Sequence, residues 1–229
     1  LLEEYDAIRS LRTLAAKSQS VVTIYALDHV LAYLGASLIE DFHEAYPSII
    51  LSVVDTTDAH AIAALASQQC SFAITAGPLD ETRFEGDPLF FSHYSVRMHR
   101  SHPLAKLPAL TYDDLDGQTI ISKGRAYDCF RHHIDKYFLA PGRKIHILAE
   151  TADESIIRTL LLHNKAINIG YDYADPLYPH PDIVSRILKE EISGQMIYLV
   201  SNPQVRKTKA SCLFHDFLLE GMKKKAARG

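Results

Sequence analysis

Leu1, Tyr5, Ile8, Leu11 and Leu14 recur at three- and four-residue steps, with Glu3, Glu4, Arg9, Arg12 and Lys17 between them. This spacing puts one apolar stripe on a helix; its abrupt, uncapped start reads as the end of a longer linker helix over residues 1–19. The period then changes. Val21 to Ala26 is a short β-branched and aromatic run, the pattern of a buried strand, and Val30 to Ala45 returns to helical spacing. Tyr46-Pro47 ends that helix, because proline disfavours helical geometry in the residue before it. Ile49 to Val54 predicts a second strand, Ala59 to Gln69 a helix and Ser71 to Thr75 a third strand, closed by Gly77-Pro78. Strand alternating with helix in this way predicts a parallel sheet wrapped by helices.

A second alternating unit follows. Phe90 to His99 reads as a long strand leaving the first sheet, and Ser101-His102-Pro103-Leu104 turns the chain. Helices are expected at Leu110–Leu115, Tyr127–Leu139 and Glu150–His163, with strands at Thr119–Ser122, Ile145–Ala149 and Ala166–Tyr171. Extended runs at Ile183–Leu188 and Gln195–Val200 precede a closing helix, Ser211–Lys224, with Leu213, Phe214, Phe217, Leu218 and Met222 on one side. If Gln195–Val200 pairs back into the first sheet, the chain crosses twice between two lobes. The expectation is an α/β fold of two Rossmann-like lobes joined by two crossover strands, with 20–96 and 197–229 as lobe I and 97–196 as lobe II. Two crossovers make a hinge, and a hinge with a cleft is a ligand clamp.

Composition narrows what such a clamp can do. Across 229 residues, 47% are apolar and 23% charged, and no apolar run is long enough to cross a membrane. A net charge of −4 disfavours an extended phosphate-binding surface, so this segment by itself should not grip DNA. Cys70, Cys129 and Cys212 are far apart and lack CxxC spacing, which fits reduced thiols of a cytoplasmic protein. The twelve histidines form no HExxH or Cys/His cluster, so no metal is expected, and only His29 stands out by position. No GxSxG elbow, Walker loop or GxGxxG follows a strand; the chain reads as a non-enzyme with no catalytic residues and no cofactor.

The segment Phe42-His43-Glu44-Ala45-Tyr46-Pro47 before a strand, Ser101-His102-Pro103-Leu104-Ala105, and Leu110-Thr111-Tyr112-Asp113-Asp114-Leu115-Asp116-Gly117 follow one another in a definite order. Together they resemble the effector-binding domain of LysR-type transcriptional regulators, from about Val21 to Glu220. The resemblance implies a type II periplasmic-binding-protein-like fold, a small-molecule effector between the lobes, a homodimer that becomes a tetramer at full length, and DNA contact only through an N-terminal winged helix-turn-helix outside this chain. It also shows departures: Gln68 and Ser71 stand where the family usually has a Gly and an Asp, and Asn164 to Asn168 lacks the family's Gly-rich turn.

In open parallel sheets ligands bind beyond the carboxyl ends of the strands. Those ends deliver Asp28, His29, Thr56, Thr57, Asp58 and Thr75 from the first lobe, and Ser122, Lys123, Arg125, Thr151, Tyr171 and Asp172 from the second. Hydroxyls, helix N-termini and Lys123 or Arg125 suit an anionic metabolite. Asp28 and His29 suit an amine or a polyhydroxyl compound instead, and both readings stay open. Thr56, Thr57, Asp58, Ser122 and Thr151 also have a plain explanation as helix caps. A transporter's solute-binding protein shares the two-lobed shape and is the alternative function; an enzyme on the same fold is a third.

Overall fold

The computed structural model describes residues 20–124, 127–189 and 193–226; the expected linker helix and Arg125 lie outside them. The first lobe begins with β1 (Ser20–Leu27), α1 (Val30–Leu34), α2 (Ala36–Ala45), β2 (Ile49–Thr56), α3 (Asp58–Ala66) and β3 (Phe72–Ala76). The long β4 (Glu85–His99) then leads to β5 (Thr119–Ser122), α4 (Asp128–Ile134), β6 (His146–Glu150), α5 (Glu154–Leu162) and β7 (Ile167–Tyr171). A 3₁₀ turn over Asp172–Leu177, β8 (Ile183–Ile187), β9 (Gly194–Ser201) and α6 (Lys209–Ala226) complete the chain.

The strands form two sheets that share β4. Its first part, Glu85 to His93, pairs antiparallel with β9, while Tyr94 to His99 pairs with β7 and β8. The order is β2-β1-β3-β9-β4 on one side and β4-β7-β5-β6 on the other, with β8 also on β4. β1, β2 and β3 are parallel to one another, as are β5, β6 and β7. β9 returns antiparallel beside β3, Ala73 opposite Val200, so the chain re-enters the first sheet as expected. The crossing is tight: a Cβ on Gly194 would run into the Ser92 carbonyl oxygen and the Phe91 ring, so only glycine fits there.

The apolar pattern explains the layers. Val22, Ile24 and Ala26 of β1 bury one face under α1, α2 and α6, where Phe42, Phe72 and Phe214 meet with ring centroids 5.5 and 5.8 Å apart. Ala61 and Leu65 of α3 cover the opposite face against Ala73 and Val200. In the second lobe Ile157 and Leu161 of α5 lie on Ile121 and Ala166.

Several helix boundaries differ from the sequence reading. The helix expected over Val30–Ala45 is broken at Gly35, whose φ of 100° leaves helical geometry. Gln68, at φ 60°, lies past the end of α3 at Ala66, so the expected extension to Gln69 does not form. Leu110–Leu115 reduces to a 3₁₀ turn at Asp113–Leu115, because Leu110 is used in a bridge to Leu188. Tyr127–Leu139 becomes α4 followed by a π-helical turn, Asp135–Leu139. Glu150 belongs to β6, and α5 starts only after Asp153, whose carboxylate accepts from the Ser155 and Ile156 N–H groups.

Candidate functional site

The carboxyl ends of β1, β2 and β3 face those of β5, β6 and β7, and several side chains bridge the gap between them. The Lys123 ammonium, just past β5, lies 2.5 Å from Asp28 Oδ2, just past β1. His29 Nε2 sits 3.2 Å from the same oxygen, and its Nδ1 is 3.0 Å from the Tyr178 hydroxyl. Tyr173 donates its hydroxyl to the Asp28 carbonyl at 3.0 Å. The second oxygen of Asp28, Oδ1, is buried and has no hydrogen-bond partner among the described residues. His29 holds a left-handed backbone, φ 67°, which turns the chain sharply at the strand tip. Burial lowers the His29 pKa and the Asp28 charge opposes that shift, so the ring is neutral at pH 7.

Asp58 makes a second bridge. It opens α3 in the first lobe, but its carboxylate accepts from the Asp128 and Cys129 N–H groups, at 2.8 and 2.5 Å, at the start of α4 in the second. A side chain of one lobe thus caps a helix of the other, satisfying donors that the helix itself leaves open. α3's own cap is Thr57, whose hydroxyl accepts from the His60 N–H at 3.1 Å. Asp58 and Thr75 also line a cavity of about 210 Å³ beside the bridge, together with Ile62 and Asp128.

The remaining expected residues divide. Thr56 turns to His60, Oγ1 to Nδ1 2.8 Å, on the exposed side of α3. Thr75 is buried, with its hydroxyl 3.4 Å from the Ala76 carbonyl. Ser122 is buried and accepts from the Gly124 N–H at 3.0 Å, while its carbonyl accepts from the Thr151 N–H at 2.8 Å. Thr151 holds the following turn by accepting from the Asp153 N–H at 3.0 Å. Tyr171 lies in a stack between Tyr94 and Tyr173, centroids 5.2 and 5.6 Å away, with its hydroxyl on Gln195 at 3.0 Å. Asp172 fixes the crossing point of β4, accepting from Ser92 Oγ at 2.6 Å and the His93 N–H at 3.1 Å. The structure therefore brings Asp28, His29 and Lys123 together and sets Asp58 beside α4. Thr57, Ser122 and Thr151 act as caps and turn-holders.

Three groups at the gap escaped the sequence reading. Tyr173 and Tyr178 come from the turn after β7, and nothing local distinguishes them from core tyrosines. The third is the Arg97 network: its guanidinium holds Glu154 bidentately, at 2.5 and 3.0 Å, and donates to Asn168 Oδ1 at 2.8 Å. Asp175 approaches the same guanidinium at 3.9 Å, and burial pushes its carboxyl pKa up. Among the described residues no group of three or more His, Cys, Asp or Glu is placed to hold a metal ion, and no helix is long and apolar enough to cross a membrane.

Chemically, the described residues of the gap offer hydrogen-bonding groups and paired charges; the Cys129 thiol is buried and pushed up, and Tyr171 and Tyr173 are raised by the same burial. Two sheets sharing a crossing strand, with opposed strand tips bridged by polar side chains, define a two-lobed domain of the type II periplasmic-binding-protein-like class. The chain belongs to the LysR substrate binding domain family, whose model matches residues 15–223.

It is 24% identical over 176 residues to the HTH-type transcriptional regulator CysB of Burkholderia cenocepacia, a match covering 76% of this chain. The chain spans 56% of that relative's length. In fold it is similar to the effector binding domain of QuiR in complex with shikimate, at a TM-score of 0.78 and 21% identity, covering 90% of this chain and 99% of that one. It is also similar to the regulatory domain of CcmR from Synechocystis in complex with 2-PG, at a TM-score of 0.79 and 16% identity, over 90% and 98% of the two chains.

Proposed function

We propose that this chain is the sensing half of a cytoplasmic LysR-type regulator that holds a small polar metabolite in the gap between its lobes and performs no chemistry on it. The lobes are taken as 20–96 with 197–229, and 97–196. The carrying observation is that the bridges around Asp28 are polar contacts a ligand can replace: Asp28 with Lys123, and Tyr173 and Tyr178 with the turn at Asp28-His29. A ligand that satisfies these groups better in one lobe arrangement than in the other shifts the population between them. QuiR and CcmR are described with shikimate and 2-PG, which supports a small polar compound here too. No observation favours the transporter reading.

Transmission would run through a homodimer. Val21, Ile39 and Ile50 expose apolar side chains at the β1–β2 edge of the first lobe, and Leu139, Ile147, Leu148 and Ile156 do so at the β6 edge of the second. Two apolar edges at opposite ends suit an antiparallel pair in which each lobe meets the other lobe of its partner. DNA would be contacted through a separate domain preceding this one.

A thermal-shift screen of a metabolite collection tests the reading, because a compound that binds only the folded chain raises its Tm by mass action. The expected hit loses affinity in His29→Ala and Lys123→Met. Equal binding by parent and both variants would place the ligand elsewhere. For the dimer, sedimentation of Leu148→Glu should give monomer where the parent gives dimer; a parent that stays monomeric at high concentration removes that part of the proposal.

A further inference from the structure

The first lobe contains a second cavity, of about 280 Å³, at the opposite end of its sheet from the gap. It lies against the loop entering β3, the end of β9 and the start of α6, with Thr23 of β1 in its wall. Since β3 runs from Phe72 to Ala76, a full strand length separates it from Ala76 at the gap. The residues around it carry hydroxyl, amide and cationic groups and not one carboxylate.

We infer that this cavity is a binding site for a small oxyanion, distinct from the effector gap, with Arg206, Lys207 and the hydroxyl of Ser201 as its ligating groups. Three observations carry the assignment. Ser201 lines the cavity, is only 3% exposed, and its Oγ has no hydrogen-bond partner among the described residues, so a buried polar group is left unsatisfied there. Arg206 and Lys207 also line it, and among the described residues neither forms an ion pair with an acid; the Lys207 ammonium rests over the Phe72 ring, 5.9 Å from its centroid. The 18-residue α6 begins at the rim, where Thr208 accepts from the Ser211 N–H at 3.1 Å, so the positive end of a long helix dipole faces the same space.

Ser71 stands in the same wall as a further uncharged hydroxyl group. Cys70 beside it adds no charge, since burial raises its thiol to about 11. The volume exceeds what a single tetrahedral anion fills, given the roughly 30 Å³ that a water molecule occupies. The oxyanion is therefore either free with its hydration or carried on a compound of a few carbons.

Calorimetric titration of the whole chain with sodium phosphate and with glycerol 3-phosphate, each at an ionic strength matched by chloride, tests the site. One saturable site per chain is expected, tighter for the ester if the oxyanion is carried and tighter for phosphate if it is free. Affinity should fall about tenfold or more in Arg206→Ala, the scale of a lost charged hydrogen bond, and similarly in Ser71→Asp. Asp28→Asn, in the gap, should leave it unchanged. Arg206 is exposed, so its variant tests the site even if Ser71→Asp fails to fold. Absence of saturable binding, equal binding by parent and Arg206→Ala, or loss in Asp28→Asn alone would overturn the assignment.

Discussion

Two carboxylates reach across the gap between the lobes, and the protein neutralises them by different means. Asp58 is met by backbone: two N–H groups at the start of α4 that no rotamer can withdraw. Asp28 is met by side chains, the ammonium of Lys123 and the ring of His29, each on rotatable bonds. The Asp58 bridge is thus a hinge pin whose partner is fixed by the fold, whereas the Asp28 bridge can be exchanged for a ligand group without disturbing any secondary structure. Under the proposed function, this difference would put ligand exchange on the Asp28 side and rigidity on the Asp58 side. It also explains why one oxygen of Asp28 is left without a partner while both oxygens of Asp58 are used.

The largest effect is expected where removal of one partner strands a charge. Lys123→Met leaves the Asp28 carboxylate buried without its ammonium partner, and the Asp28 and Lys123 side chains are each only 13% exposed. A loss of about 3 kcal/mol in denaturant unfolding is expected, and Asp28→Asn in the same chain should restore most of it. If the double variant is no more stable than Lys123→Met, the lysine does something other than balance Asp28. Asp58→Ala should come next, at about 2 kcal/mol, because two helix-end donors lose their acceptor. The comparison would fail if Asp58→Ala altered ligand affinity more than Lys123→Met did.

The lobes were legible from sequence because each strand is a short apolar run bounded by turn residues. The Thr119–Ser122 run coincides with β5, and the condition that Gln195–Val200 pair back into the first sheet is met by β9. Helix ends were less legible. The break at Gly35 lies inside an unbroken amphipathic pattern, and Glu150 reads as a helix start although its backbone is needed in β6. At the site, the strand tips were identified by position, but their partners were not. By position Asp58 reads as a ligand group or as a cap for its own helix, whereas it caps one that begins 70 residues later. Tyr173, Tyr178 and Arg97 lie on elements whose own periodicity is satisfied by burial. Contacts between lobes depend on how two sheets are angled, and no local spacing records that angle.

α4 offers a third test, since it is held at its start by Asp58 and along its inner face by His133. His133 is fully buried among Tyr94, Tyr112 and Phe138, neither ring nitrogen has a hydrogen-bond partner among the described residues, and burial lowers its pKa to about 3. The unfolded chain, near 6.5, takes up the proton before the folded one does. The contribution of neutral His133 is therefore fully present above pH 6.5 and is lost progressively as pH falls towards 3. His133→Phe should be more stable than the parent by about 1–2 kcal/mol at pH 5 and nearly equal to it at pH 7.5. Parallel stability curves for the two proteins from pH 7.5 to 5 would show that His133 is not the group that loosens α4 in acid.

The smallest effect is expected on the same helix's outer face. Arg131 and Asp128 form an ion pair at 2.5 Å, one turn apart, with side chains 55% and 51% exposed. Water and salt screen such a pair, and holding two mobile side chains together costs entropy, so Arg131→Ala should change stability by less than about 0.5 kcal/mol. Asp128 donates its backbone N–H to Asp58 but offers only its exposed side chain to Arg131. The same residue thus takes part in a strong bridge through its main chain and a weak one through its side chain. If Arg131→Ala cost as much as Asp58→Ala, the Arg131 side chain would be helping to hold α4 against the other lobe, and backbone capping would not be enough to account for the rigid side of the gap. Unfolding of the two variants in low and high salt separates the cases, because an exposed ion pair weakens with salt while a buried cap does not.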